Sequence, residues 1–183
     1  MNNKQLKDQI WITRVSRAKA EARLIGKESF IQGINIYYSV LIIIYSIMSY
    51  VVGDNSIGLV GVFLSIGLFA SILYLNNQNY LDQAKEFRSN YIEMQRLEME
   101  LDGECDVELI KNRYCDLLKN ANNHTEYDYL CALDNSDQEY KKTKNWSVLR
   151  TRLIWGKAWR CVVKAFIIFV PILLLIISEG LAR

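Results

Sequence analysis

Charged side chains are absent from residues 29–53 and again from residues 55–81, and Asp54 alone separates the two runs. Each run exceeds the roughly 20 residues that a helix needs to cross the hydrocarbon core of a bilayer. In the first, Ile31, Ile34, Ile36, Val40, Leu41, Ile42, Ile43, Ile44, Ile47, Met48, Val51 and Val52 fall on every side of a helical projection. A helix on the surface of a soluble fold keeps a polar face. The pattern therefore predicts a transmembrane hairpin within residues 29–75, joined by a tight turn at residues 53–56. A cleaved secretory signal fits poorly, because the first run begins late, is too long and leads straight into a second span. The start of the chain also opens no myristoylation or lipoprotein motif. The alternative, a core hairpin of a soluble fold, lacks amphipathic material to cover it in 183 residues.

Beyond the hairpin the period changes. Tyr80, Ala84, Phe87, Tyr91 and Met94 recur at steps of four and three, followed by Leu97 and Leu101 after one slip, which is the packing seam of an amphipathic helix. No proline or glycine lies between Leu68 and Leu101, so this helix is expected to continue the second span without a break. Asp102-Gly103 ends it. Asp106 can cap a helix carrying Val107, Ile110, Tyr114, Leu117 and Leu118, which ends at residues 120–123. The segment from Thr125 to Asp128 has the form of a capping box for a short helix with Leu130 and Leu133. A basic segment with Trp146, Leu149, Leu153, Ile154, Trp155 and Trp159 then leads into a third apolar run, residues 165–178. Its 14 residues reach only about 21 Å. Extension back through Cys161 to Lys164 lengthens it, with Lys164 free to snorkel, and Pro171 in its middle should kink it. We read it as a third crossing, with a re-entrant or surface helix as the alternative. No β pattern, internal repeat or low-complexity tract competes, so the fold class is all-α. The organisation is a basic amphipathic N-terminal helix (1–28), a transmembrane hairpin (29–75), an acidic helical region (76–140), a basic interfacial helix (141–164) and a third span with a short tail (165–183).

The overall charge of +2 conceals segregation along the chain. Residues 1–28 carry seven bases (Lys4, Lys7, Arg14, Arg17, Lys19, Arg23, Lys27) against three acids, and eight bases without an acid lie between Lys141 and Lys164. The turn between the spans has no base, so by the positive-inside rule the N-terminus and the central region face the cytoplasm. The C-terminus lies outside if the third run crosses. Residues 82–139 hold 15 acids and six bases, which suits a solvated domain beside basic flanks that contact anionic lipid heads. Trp146, Trp155 and Trp159 beside Arg150, Arg152, Lys157 and Arg160 suit a membrane interface. Nothing in this distribution resembles a nucleic-acid-binding surface.

Candidate chemistry is sparse. Cysteines at 105, 115, 131 and 161 form no CxxC pair, and one histidine cannot complete a usual zinc site. Reduced cytosolic thiols are expected, and no metal or cofactor. His124, in the stretch from Asn122 to Tyr129, could be oriented as a base by Glu126 or Asp128. The preferred reading is a helix-start histidine with structural hydrogen bonds. No phosphate-cradling glycine loop is present, and the chain is expected not to be an enzyme. The sequons at Asn123 and Asn145 fall on the cytoplasmic side, where glycosylation does not occur. Ser39, Ser46 and Ser49 in the first span and Gly58, Gly61, Ser65, Gly67 and Ser71 in the second let backbones approach closely. They are candidates for packing within the hairpin or between protomers, or for lining a pore in an oligomer. Tyr37, Tyr38, Tyr45 and Tyr50 are expected to anchor the first helix and pack its neighbours, with the outer pair near the interfaces. The two spans lack the ionisable residues by which constitutive selective channels and transporters usually discriminate.

A basic N-terminal helix, a hairpin with almost no external loop and acidic cytoplasmic helices with an asparagine-rich joint resemble the SLATT superfamily. The signature Asn123-His124 followed by Asp128-Tyr129, with a further hydrophobic helix at the C-terminus, is similar to its asparagine-histidine subfamily. The resemblance implies a bacterial inner-membrane effector in anti-phage defence, forming or gating a pore as a homo-oligomer. It further implies a separate trigger: a nucleotidyltransferase, a sensor protein or a reverse transcriptase. A membrane-anchored scaffold or a small channel or transporter subunit are the other classes that fit the anchor.

Overall fold

The computed structural model describes residues 3–103, 106–119, 121–137, 141 and 146–181. Cys105, Asn120, Asn145 of the second sequon and the last two residues of the tail lie outside the described residues. Among the described residues six helices follow in order: α1 (Asn3–Val52), α2 (Asn55–Asn76), α3 (Tyr80–Glu100), α4 (Val107–Lys119), α5 (Glu126–Asp134) and α6 (Trp146–Leu181). The chain forms two compact units. One combines Met1–Lys27 with Tyr80–Lys157, the other Glu28–Asn79 with Ala158–Arg183. The basic N-terminal segment and the first span are thus one unbroken helix of 50 residues.

In the second unit, the apolar stretches of α1 and α2 are long and apolar enough to cross a membrane, and few of their residues are buried. A soluble core hairpin would bury most of them. The hairpin closes on Tyr45, Ile57 and Leu64, with Tyr38, Ile42, Met48 and Val60 around them. The turn is shorter than the four residues expected, because α2 begins at Asn55. Gly53 takes φ 73°, a left-handed conformation that costs glycine little. Asp54 then caps α2, its carboxylate accepting from the Ser56 amide at 2.8 Å.

The expected continuous helix from the second span to Leu101 does not form. Residues 77–79 break it, with Asn79 at φ 46°. Asparagine tolerates the left-handed region far better than most residues, so the absence of proline and glycine was not sufficient for continuity.

The first unit packs the N-terminal part of α1 against α3 and α4. Leu6 and Ile10 are buried with Met94, Leu97, Ile110 and Tyr114. The α3 seam is Tyr80, Ala84, Phe87, Asn90, Met94 and Leu97. Asn90 takes the position expected for Tyr91, which is half-buried beside it, so the repeated step of three falls between Phe87 and Asn90 and not after Met94. Both predicted caps form. The Asp106 carboxylate accepts from the Glu108 amide at 2.9 Å, and Thr125 with Asp128 completes a reciprocal capping box.

Candidate functional site

The small residues of the membrane unit divide by role. Gly58 lies against Ser49, whose Oγ would sit 2.8 Å from a Cβ at that position, and Gly61 lies 3.6 Å from the Cβ of Tyr45 in the same terms. Gly58 and Gly61 thus mark where the two spans approach closely. Ser39, Ser46, Ser65 and Gly67 are exposed and Ser71 is half-buried, so they are free for neighbours outside the hairpin. Ser39 and Ser46 each donate 2.8 Å to a carbonyl of their own helix, and Ser65 does so at 2.7 Å. Their hydroxyls are satisfied without water.

Ser49 instead donates to the Asp54 carbonyl across the turn at 2.8 Å. An added methyl at Gly58 must push this hydroxyl off its acceptor, while the Ser49 Cβ, at 3.5 Å, is in ordinary contact. Gly58→Ala is expected to lower hairpin stability by about 1 kcal/mol, the net worth of one hydrogen bond. In a Ser49→Ala background the same change should add almost nothing. Thermal unfolding in detergent of the four proteins of this cycle checks it, and additive losses would contradict the contact.

Three tyrosines of α1 reach the backbone of α6. The Tyr38 hydroxyl donates to the Ile167 carbonyl at 2.8 Å, Tyr37 to the Ile168 carbonyl at 3.1 Å and Tyr45 to the Pro171 carbonyl at 2.6 Å. Lys164 lies 4.7 Å over the Phe30 ring. Tyr37 thus packs a neighbouring helix, one of the two roles expected of these tyrosines, whereas Tyr50 is exposed. Contacts rise together along both helices, so α6 runs parallel to α1 in this unit.

In the other unit the basic N-terminal segment meets the acidic block. Lys7 pairs with Asp102, Arg14 with Glu98 at 2.8 Å, and Lys27 donates to the Tyr80 hydroxyl at 2.5 Å. The expected role of this segment as a lipid-facing basic flank is corrected for these residues, whose partners are protein. The most enclosed pair is Arg23 with Asp128. The guanidinium binds the carboxylate through two oxygens at 2.8 and 3.0 Å, and Asp128 is fully buried. Burial alone would raise this carboxyl's pKa, but the hydrogen bonds from Arg23 and Thr125 outweigh it and hold it below the usual value.

Arg17 is also fully buried. One of its terminal nitrogens bonds to the Asn90 side-chain oxygen and to the Leu117 carbonyl at 3.1 Å, which also accepts from the Asn90 amide at 2.9 Å. Its Nε and second terminal nitrogen have no hydrogen-bond partner among the described residues, and burial lowers its pKa. Nothing in the sequence marked Arg17 or Asn90.

His124 is half-buried against Tyr129, ring centroids 6.4 Å apart. Its Nδ1 is buried without a hydrogen-bond partner among the described residues. Burial, followed by the charge of Arg17, lowers its pKa and favours the neutral ring. The Asp128 carboxylate that could have oriented it is engaged by Arg23 and Thr125. Asn123 is exposed. The four signature residues thus surround the start of α5, and Asp128 supplies the ionic link to α1.

The aromatic and basic residues of α6 also divide. Leu153 is buried, Arg152 pairs with Glu126 at 3.1 Å, and Gly156 faces the Tyr127 ring, so this stretch packs on α5. Trp146 is half-buried with Lys141 5.8 Å from its ring centroid. Arg150, Trp155, Trp159 and Arg160 are exposed.

An apolar helical hairpin joined to a helical unit with an ionic core defines an all-α, two-span membrane domain. The chain belongs to SMODS and SLOG-associating 2TM effector domain family 5, whose profile matches residues 2–177. It is a membrane effector of defence systems. The narrower asparagine-histidine subdivision is not part of that match. No curated protein and no solved structure matches the chain.

Proposed function

We propose that this chain is a non-catalytic effector of the bacterial inner membrane that assembles with copies of itself and forms or gates a pore when a partner triggers it. The continuity of α1 carries the reading. The segment held by the acidic helices and the first span belong to one helix from Asn3 to Val52. A change in how α3, α4 and α5 grip residues 3–27 is therefore a change in the helix that forms the first span, the kind of coupling by which packed elements switch between two arrangements. Ser39, Ser46, Ser65 and Gly67 offer the outward faces for protomer packing and, once turned to water, for a lumen.

The parallel run of α6 beside α1 supports residues 165–178 as a third span. The basic flanks support a cytoplasmic N-terminus and cytoplasmic acidic helices, with the C-terminus outside. The trigger is a separate protein: a nucleotidyltransferase, a SLOG-type sensor or a reverse transcriptase. Catalysis by His124 lacks support, because the neighbouring carboxylate is engaged elsewhere. Light scattering of the purified protein in mild detergent tests the assembly. The expected result is a closed oligomer, and a monomer both at rest and with the trigger present would count against a pore.

A further inference from the structure

Proline at position 171 lies inside α6 and has no amide hydrogen. In an α-helix that hydrogen would bond to the carbonyl four residues earlier, which here belongs to Ile167. An orphaned carbonyl within a bilayer needs another donor, and neighbouring helices usually provide it. Tyr38 of α1 donates its hydroxyl to this Ile167 carbonyl at 2.8 Å. Tyr37 reaches the next carbonyl, Ile168, at 3.1 Å, and Tyr45 the carbonyl of Pro171 itself at 2.6 Å.

We propose that these tyrosines form a latch that holds the proline-interrupted α6 against α1 in the closed state, with Tyr38 replacing the donor that Pro171 removes. The inference rests on the pore reading for its consequence and on geometry alone for its existence. The three acceptors fall within residues 167–171, around the break in the hydrogen-bond ladder. A helix interrupted there has two arrangements available: closed, with Tyr38 on the orphaned carbonyl, and open, with that carbonyl turned to water. Release of the latch is the step that separates α6 from α1.

The logic predicts a specific dependence between two residues. Tyr38→Phe should shift the equilibrium away from the closed state by about threefold to twentyfold, the range for interhelical hydrogen bonds in membranes. Pro171→Ala restores an amide to the Ile167 carbonyl, so in that background Tyr38→Phe should shift it less than about twofold. The acceptor of Tyr45 is the carbonyl of Pro171 and not the one that the proline orphans, so the effect of Tyr45→Phe should persist with Pro171→Ala. Thermal unfolding in detergent of the single and double variants reads the coupling without reference to a pore. Equal Tyr38→Phe effects in the two backgrounds would overturn the latch.

Membrane potential in cells expressing the same variants without a trigger reads the consequence. Leak from Tyr38→Phe that Pro171→Ala suppresses is the expected result. Intact potential in Tyr38→Phe cells, where the triggered wild type depolarises, would overturn the latch as a gate. Intact potential in triggered wild-type cells as well would refute the pore reading, and the thermal coupling would then decide the latch alone.

Discussion

Arg23→Ala should lower the stability of the unit that joins the N-terminal part of α1 to α3, α4 and α5 by about 3–5 kcal/mol, the usual cost of removing one partner of a buried ion pair. The loss exceeds the worth of the contact, because Asp128 stays fully buried and keeps only its hydrogen bonds within the capping box. Arg23 itself is largely covered, at 23% side-chain exposure, so solvent screening weakens the pair little. Hydrogen exchange on the full chain in detergent provides the measurement: protection should fall in residues 3–27 and 126–134 together, since one side chain joins them. A loss under about 1 kcal/mol would place this pair with ordinary surface bridges.

The same cluster makes the unit sensitive to acid. The Asp128 carboxyl titrates below its ordinary 3.8 in the folded chain. Its stabilisation is therefore present above that value and lost as pH falls through the lower folded value. His124 is depressed from 6.5, so the unfolded chain takes up its proton first, and stability begins to decline once pH drops below 6.5. Both groups act in the same direction, and Arg23→Ala should weaken the lower step while leaving the upper one.

Ile10→Ala is expected to cost about 2–5 kcal/mol, the transfer and cavity cost of emptying a fully enclosed aliphatic site. Ile10 is completely buried, among Leu6, Met94, Leu97, Ile110 and Tyr114. An N-terminal helix resting on lipid would leave this side chain in the acyl boundary, and its truncation would scarcely affect α3 and α4. Exchange in those two helices distinguishes the cases: protection lost there supports a shared core, and protection lost only in residues 3–27 contradicts it.

The hairpin was legible in the sequence because charge exclusion over 25 residues needs no knowledge of tertiary contacts. The caps at Asp106 and Thr125 were legible for a similar reason, since the amides they cap lie within three residues. The break at Asn79 was hidden because asparagine is compatible with a helix as well as with the left-handed turn it adopts. Arg17 read as one more cytoplasmic base. Its burial arises from Asn90 and Leu117, 73 and 100 residues away, and no local pattern encodes such a meeting. Asn90 was hidden by Tyr91, which fits the apolar rhythm one residue later. The tyrosines of the first span were visible, yet their partners were backbone carbonyls, which have no sequence signature beyond Pro171.

The most direct test of a triggered membrane effector is the membrane potential of cells that carry this chain with its partner, followed from the moment of triggering. The account predicts a collapse of the potential before growth stops, abolished when the chain is absent. Growth arrest in triggered cells whose membranes keep their potential would contradict it.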